Sequence, residues 1–405
     1  MKILPDTPKT WKLHPIGSFV SELESGVSVN SSELDGDRSS LILKTSCVST
    51  GRFDVNEAKP VVRSELGRLR CPVRKGSIII SRMNTPDLVG ANAYVSAEVS
   101  GVYLPDRLWQ AIWKEDAQLD PRWLAQILAS SAGRTFLKSI ASGTSDSMKN
   151  ISKEAFLSAE VPTPPLPEQR KIAEILTAWD DALEKLDALI AAKERRKKAL
   201  MQQLLSGKMR GSECSGKWIT AKLGDLFTER VEQNRPDLDL LSITADRGIV
   251  RRDGLAKRDT SSEDKSKYLR IAPGDIGYNT MRMWQGVSAV SALEGIVSPA
   301  YTICTPTKGI DVRFAAHLFK FRHTIHLFHR YSQGLVDDTL NLKFPVFAAI
   351  EVFIPADIEA QRRIAAILDT CDDELRLRRA QRAALDQQKR GLMQKLLTGQ
   401  LRVHA

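Results

Sequence analysis

EQRKIAEILTAWDDALEKLDALIAAKERRKKALMQQLLSGKMR, residues 168–210, returns later in the chain as AQRRIAAILDTCDDELRLRRAQRAALDQQKRGLMQKLLTGQLR, residues 360–402. The two stretches align without a gap and agree at 20 of 43 positions. The chain is therefore an internal repeat, and a repeat fixes the architecture before any local reading does. Both copies lack proline, are rich in Ala, Leu, Glu, Lys, Gln and Arg, and close on Gly207 and Gly399. That composition predicts one helix of about 40 residues in each copy, with glycine supplying the left-handed stop.

Within the first copy a 4-3 spacing runs through Ile172, Leu176, Trp179, Leu183, Leu186, Ile190, Lys193, Lys197, Leu200 and Leu204. The second copy carries Ile364, Leu368, Cys371, Leu375, Arg378, Arg382, Leu385, Lys389, Leu392 and Leu396 at the same places. A period of 3.5 sustained this long is a coiled-coil seam. Antiparallel pairing that sets Ile172 beside Leu396 brings Arg382 to Leu186, Arg378 to Ile190 and Lys193 to Leu375. In that register no cation meets another, and each is expected to lay its methylenes on an apolar neighbour while its charge reaches water. Two amphipathic helices of separate domains are the plainer alternative.

Upstream of the helices the match continues after a shift of one residue. Gly143, Asp146, Asn150, Val161 and Pro164 correspond to Gly334, Asp337, Asn341, Val352 and Pro355. Both halves open alike, with Trp11, Ile16 and Gly17 against Trp218, Leu223 and Gly224, and both hold a glycine followed by an apolar run, Gly76 and Gly274. The pairs Arg82-Met83 and Arg282-Met283 follow these runs and are read as equivalent. Elsewhere the copies diverge. The predicted fold is α+β: two globular α/β domains separated by two long helices that form an antiparallel coiled coil, with a pseudo-two-fold axis relating the halves. The boundaries are residues 1–160 for the first domain, 161–210 for the first helix, 211–217 for a linker, 218–352 for the second domain and 353–405 for the second helix.

Length and charge agree with several folding units and an anionic partner. A chain of 405 residues exceeds one ordinary core. Its 59 Lys and Arg against 49 Asp and Glu give a net charge of +10, enough to steer a polyanion. The five cysteines, Cys47, Cys71, Cys214, Cys304 and Cys371, are scattered without a C-x-x-C pair and read as reduced thiols. The strongest apolar runs, such as Ile78-Ile79-Ile80, fall far short of the ~20 residues of a membrane span. A cytoplasmic protein without membrane contact is expected.

The entry VPTPPLPEQRKIAEIL (161–176), the helix end ALMQQLLSGKMR (199–210), their echoes FIPADIEAQRRIAAIL and GLMQKLLTGQLR, and the preceding SGTSDSMKNIS resemble the specificity subunits of Type I restriction-modification systems. The likeness extends from Trp11 to Arg402. It implies that the diverging regions are target-recognition domains, each reading one half of a bipartite asymmetric site in double-stranded DNA, and that the helices are spacers. It also implies two methyltransferase subunits as partners, which bind S-adenosylmethionine and methylate adenine at N6, and ATP- and Mg-dependent restriction subunits. No cofactor is expected on this chain. The second helix departs from the pattern, with Ala360 where the first has Glu168 and only Pro355 left of the proline run.

Motifs for independent catalysis are missing from the sequence. It holds no Asn/Asp-Pro-Pro-aromatic loop for a flipped adenine and no phosphate-binding G-x-x-x-x-G-K-[ST] loop. Pro236-Asp237 followed by Glu263-Asp264-Lys265 resembles a nuclease string, a match that charge-rich loops produce readily. His323, His326 and His329 splay by ~120° around a helix and suit a solvated or phosphate-facing side better than a metal.

Base edges are read mainly by Arg, Lys, Asn and Gln, whose donors match guanine O6/N7 or adenine N6/N7. Candidates therefore lie where the copies differ: Arg82 and Asn84 in the first domain, with Arg63, Arg68 and Arg70 on phosphates. In the second they are Arg282, Trp284 and Gln285, with Arg251 and Arg252 nearby. Lys149-Asn150 and Asn341 are read as turn formers, since both copies keep the Asn. Two competing functions remain: a coiled-coil scaffold without DNA preference, and a self-contained nuclease.

Overall fold

A computed structural model describes residues 2–4, 7–34, 36–143, 147–207, 216–244, 247–254, 264–336 and 339–403. Asp146, Asp337, Cys214, Glu263 and most of the linker, 211–215, lie outside the described residues. The chain divides into two compact units, Met1–Leu186 with Arg382–Ala405, and Asp187–Gln381.

The first unit is built on a four-stranded antiparallel sheet in the order Val20–Ser25, Leu108–Trp113, Ile78–Ser81, Asn92–Tyr94. The run Ile78-Ile79-Ile80 is wholly buried because this central strand has a core on each face. Side chains alternate along a strand. Ile78 and Ile80 accordingly enter one core with Trp109, Trp123, Leu124 and Phe156, while Ile79 enters another with Leu43, Val73, Val95 and Leu104. Two helices cover the first core, Pro121–Ala129 and Ser131–Ser139, capped by the side chains of Asp120 and Ser130.

The second unit repeats this plan. Its sheet runs Phe227–Glu229, Tyr301–Pro306, Ile276–Asn279, Ser288–Val290. Ile276 and Tyr278 face a core with Phe314, Phe319, Phe328 and Phe347. Gly277 lies between them, where a Cβ would stand 2.3 Å from Ile243 Cδ1 in the opposite core. Close packing of that second core requires the missing side chain. In each unit the strand entering the long helix pairs antiparallel with the opening strand: Glu160–Thr163 with Lys12–Pro15, and Glu351–Pro355 with Trp218–Lys222.

The repeated segments form helices of 40 residues each, Leu166–Leu205 and Ile358–Leu397. Gly207 and Gly399 follow them with φ of +68° and +70°, the left-handed conformation expected of the stop. Within each unit the helices run antiparallel. In the first, Ile172, Ala173 and Leu176 share a core with Leu396 and Leu397. In the second, Ile364, Ala365 and Leu368 share one with Leu204 and Leu205.

The three seam lysines end on carboxylates of the facing helix, where their charges were expected to reach water. Lys389 bonds Asp180 at 2.8 Å in the first unit, while in the second Lys193 bonds Glu374 and Lys197 bonds Asp372, both at 2.5 Å. Carboxylates flank the seam on the facing helix, so the ammonium groups end on charge-assisted bonds.

Candidate nucleic-acid interface

The two halves can be matched through their backbone hydrogen bonds, and this corrects one equivalence drawn from sequence. Arg82 N–H donates to Arg107 O at 3.1 Å, and Ile151 N–H donates to Arg82 O at 2.9 Å. Thr280 makes the same pair of contacts, to Ala300 O at 3.1 Å and from Leu342 N at 2.8 Å. Arg82 therefore corresponds to Thr280, and Arg282-Met283 stands two residues out of step with Arg82-Met83. Arg282 instead stands at the start of a short 3-10 turn, Met283–Gln285, closed by Gly286 at φ +76°.

Arg82 and Asn84 are both tied into the first unit. Arg82 Nε donates to Asp106 O at 2.7 Å, and the guanidinium lies 5.8 Å from the Trp109 ring centroid. Asn84 Nδ2 donates to Ser81 Oγ at 3.1 Å, and its Oδ1 accepts from Thr85 N at 2.8 Å. Residues Met83–Asn84 pair with Lys149–Asn150. Asn150 and Asn341 make matching bridges, to Ser142 and Gln333. A side chain already fixed in this way is preorganised for any contact it makes with its remaining polar atoms.

Arg63 and Arg68 lie on the 3-10 turn Arg63–Arg68, with Arg70 just beyond, and all three are exposed. Arg68 is braced by Glu65 at 3.0 Å and Ser28 O at 3.1 Å, and Glu65 in turn accepts from the backbone and side chain of Asn30. Arg70 Nη1 bonds Gly67 O and Leu69 O. The Asp37 carboxyl is held below its ordinary range by the hydroxyl and N–H of Ser39, with a smaller contribution from the charge of Arg63. This exposed cationic edge has the chemistry of a phosphate contact.

In the second unit Arg282 and Gln285 are exposed, whereas Trp284 is half-buried with its Nε1 donating to Met281 O at 3.0 Å. The Trp284 ring meets His329 edge-on, with centroids 5.7 Å apart. His329 belongs to the helix Arg322–Tyr331, on which Arg322, His323, His326 and Arg330 are also exposed. Arg251 is paired with Asp239 at 3.0 Å, and Arg252 Nη1 donates to Ser242 Oγ at 3.1 Å. Of the nuclease-like string, Asp237 is engaged by Arg235 at 2.8 Å and Asp264 accepts from Ser266 N.

The seam residues have no exposed member. Ile172, Leu176, Leu183, Leu186, Leu204, Ile364, Leu368, Leu375 and Leu396 are buried, and Trp179, Ile190, Leu200, Leu385 and Leu392 are half-buried. Two residues that the sequence reading did not single out, Gln169 and Gln361, are wholly buried at the starts of the helices. Their signal was present, since the repeat keeps this glutamine next to Arg170 and Arg362. Among the described residues no helix is long and apolar enough to cross a membrane.

Comparison with known proteins agrees with this architecture. Residues 20–193 match the family model described as the Type I restriction modification DNA specificity domain. The chain is 23% identical over 295 residues to the MjaVIII specificity subunit of Methanocaldococcus jannaschii, covering 66% of this chain and 68% of that protein. It is 24% identical over 201 residues to the EcoEI specificity subunit of Escherichia coli, covering 49% of this chain and 33% of that protein.

Two solved structures share the fold. The Type-I restriction-modification S subunit from M. genitalium has a TM-score of 0.61 at 15% identity, covering 97% of this chain and 98% of that one. A chain from work on complex assembly and conformational transition of the type I R-M system scores 0.56 at 16% identity, covering 98% and 100%. On these likenesses residues 20–193 match a Type I restriction modification DNA specificity domain, and the chain is similar to the specificity subunits of Type I restriction enzymes.

Proposed function

We propose that this chain reads a bipartite asymmetric DNA site, one half by the diverging region of each copy, and presents that site to methyltransferase subunits for adenine N6 methylation. Restriction subunits are the further partners that the resemblance implies, and a complex that only methylates is the alternative. S-adenosylmethionine, ATP and Mg²⁺ belong to those partners, and the chain alone is catalytically inert. The observation that carries this reading is one fold built twice, with the same sheet order and the same backbone bonds, whose exposed and half-buried Arg, Asn, Gln and Trp side chains differ between copies. Two alike scaffolds with unlike polar surfaces suit two unlike half-sites.

In this reading Arg63, Arg68, Arg70, Arg251 and Arg252 contact phosphates, and Arg82, Asn84, Arg282, Trp284 and Gln285 approach base edges. The chain is assembled with its methyltransferase subunits and the methylated sequence is determined. Exchanging residues 11–158 for those of a relative is expected to change one half of the motif and leave the other intact. Change of both halves together would refute independent reading, and a methyltransferase complex without sequence preference would make the chain a scaffold.

A further inference from the structure

Gln169 and Gln361 occupy the same junction in the two units and make the same three bonds. Gln169 Oε1 accepts from Asp120 N at 2.9 Å, while its Nε2 donates to Gln118 O at 3.1 Å and Pro164 O at 2.9 Å. Gln361 Oε1 accepts from Asp311 N at 2.8 Å, while its Nε2 donates to Gly309 O at 3.2 Å and Pro355 O at 2.9 Å. Both carboxamides are fully buried. Asp120 and Asp311 are the residues whose side chains cap the reader-domain helices Pro121–Ala129 and Val312–Lys320.

One planar group thus joins three pieces of backbone: the loop that caps a reader-domain helix, the end of the entry strand, and the first turn of the long helix. Only a carboxamide supplies one acceptor and two donors in a single plane, whereas a carboxylate lacks the donors and a thioether has no donor and accepts only weakly. Buried backbone groups left without partners are costly, so the three bonds form together or the junction opens.

We propose that Gln169 and Gln361 are positioning residues that fix the angle between each reader domain and its long helix, and so restrict the chain to one separation of the half-sites. This rests on the DNA-reading function above. The glutamines touch no DNA. Their loss is expected to relax the accepted gap while leaving both half-site sequences unchanged.

The test uses the chain assembled with its methyltransferase subunits and a randomised duplex library, followed by duplexes carrying the selected half-sites at gaps one and two base pairs longer and shorter. Gln169→Met and Gln361→Met keep the side-chain volume and remove the bonds. Each is expected to cut discrimination between the preferred gap and its neighbours by about tenfold, with the half-sites retained. Val95→Ala, in the core away from the junction, serves as a control for lost stability and is expected to leave gap preference as it is. Unchanged gap preference in both glutamine variants overturns the proposal, as does an equal change in the Val95→Ala control.

Hydrogen exchange on the same complexes separates the two levels of the argument. The Asp120 amide in Gln169→Met and the Asp311 amide in Gln361→Met are expected to exchange faster than in the unaltered chain, and unaltered exchange overturns the junction itself. A wild-type complex that selects no two-part motif overturns the DNA reading instead, whatever the exchange shows.

Discussion

At Asp180, on the first long helix, three groups converge on one carboxylate: Lys389 at 2.8 Å, Gln126 at 2.9 Å and Arg52 at 3.1 Å. Burial presses this carboxyl upward, but the bonds from Lys389 and Gln126 and the charges of Lys389 and Arg52 outweigh it and hold it below the ordinary 3.8. A carboxyl depressed in the folded state stabilises the fold above its unfolded value and loses that contribution as pH falls through the folded one. Asp180→Asn is therefore expected to lower the urea midpoint at pH 7 by the equivalent of about 1–2 kcal/mol, allowing for the 22% exposure of the side chain. The gap between variant and unaltered chain should begin to narrow below about pH 4 and go on closing as pH falls further, and a constant gap down to about pH 2 would show that the charge is not its source. Asp180 lies beside the seam, and its partners come from residues 52, 126 and 389, so no spacing rule along one helix could reveal the cluster. Arg82 shows the same limit. Its Arg-Met neighbourhood matched Arg282-Met283 by letter, whereas the bonds that define equivalence run through the backbone and pair it with Thr280.

Among the elements, the helices were the most legible, because a seven-residue period repeated in two copies tests itself. Their ends, Leu205 and Leu397, fall just before the glycines that were expected to stop them. The strands were legible where burial on both faces made a continuous apolar run, as at Ile78–Ser81. In the second copy the same glycine-then-apolar pattern after Gly274 marked Ile276–Asn279, although Gly277 interrupts the run where close packing forbids a side chain. Two glycines of the second helix make the point testable. Gly391 lies mid-helix with open space where a Cβ would be, so Gly391→Ala is expected to raise stability by about 0.5–1 kcal/mol. Gly399 has φ +70°, and a Cβ there would stand 2.5 Å from Pro8 Cγ, so Gly399→Ala is expected to cost more than about 1 kcal/mol. Thermal unfolding of the two variants checks the opposite signs, and equal shifts in one direction would contradict this account.

For the molecule as a whole, the proposed function makes the paired helices a ruler. A seven-residue insertion after Ala191 keeps the heptad phase and lengthens its helix by roughly 10 Å, which at about 3.4 Å per base pair is at most about three base pairs. The methylated motif of the insertion variant is expected to keep its half-sites and widen its gap, whereas an active variant with the old gap would assign the spacing to something else. The purified chain is expected neither to methylate nor to cut DNA until its partners are added, and activity from the chain alone would contradict that. The division of the chain has a further consequence, for the order in which it folds during synthesis. The first unit needs residues 382–405 from the second copy, while the second unit, Asp187–Gln381, is continuous. At about 5–20 residues per second, the intervening stretch takes on the order of ten to forty seconds to translate. During that time the apolar face at Ile172 and Leu176 waits on the ribosome without Leu396 and Leu397 to cover it, and the unit begun first is the last to close.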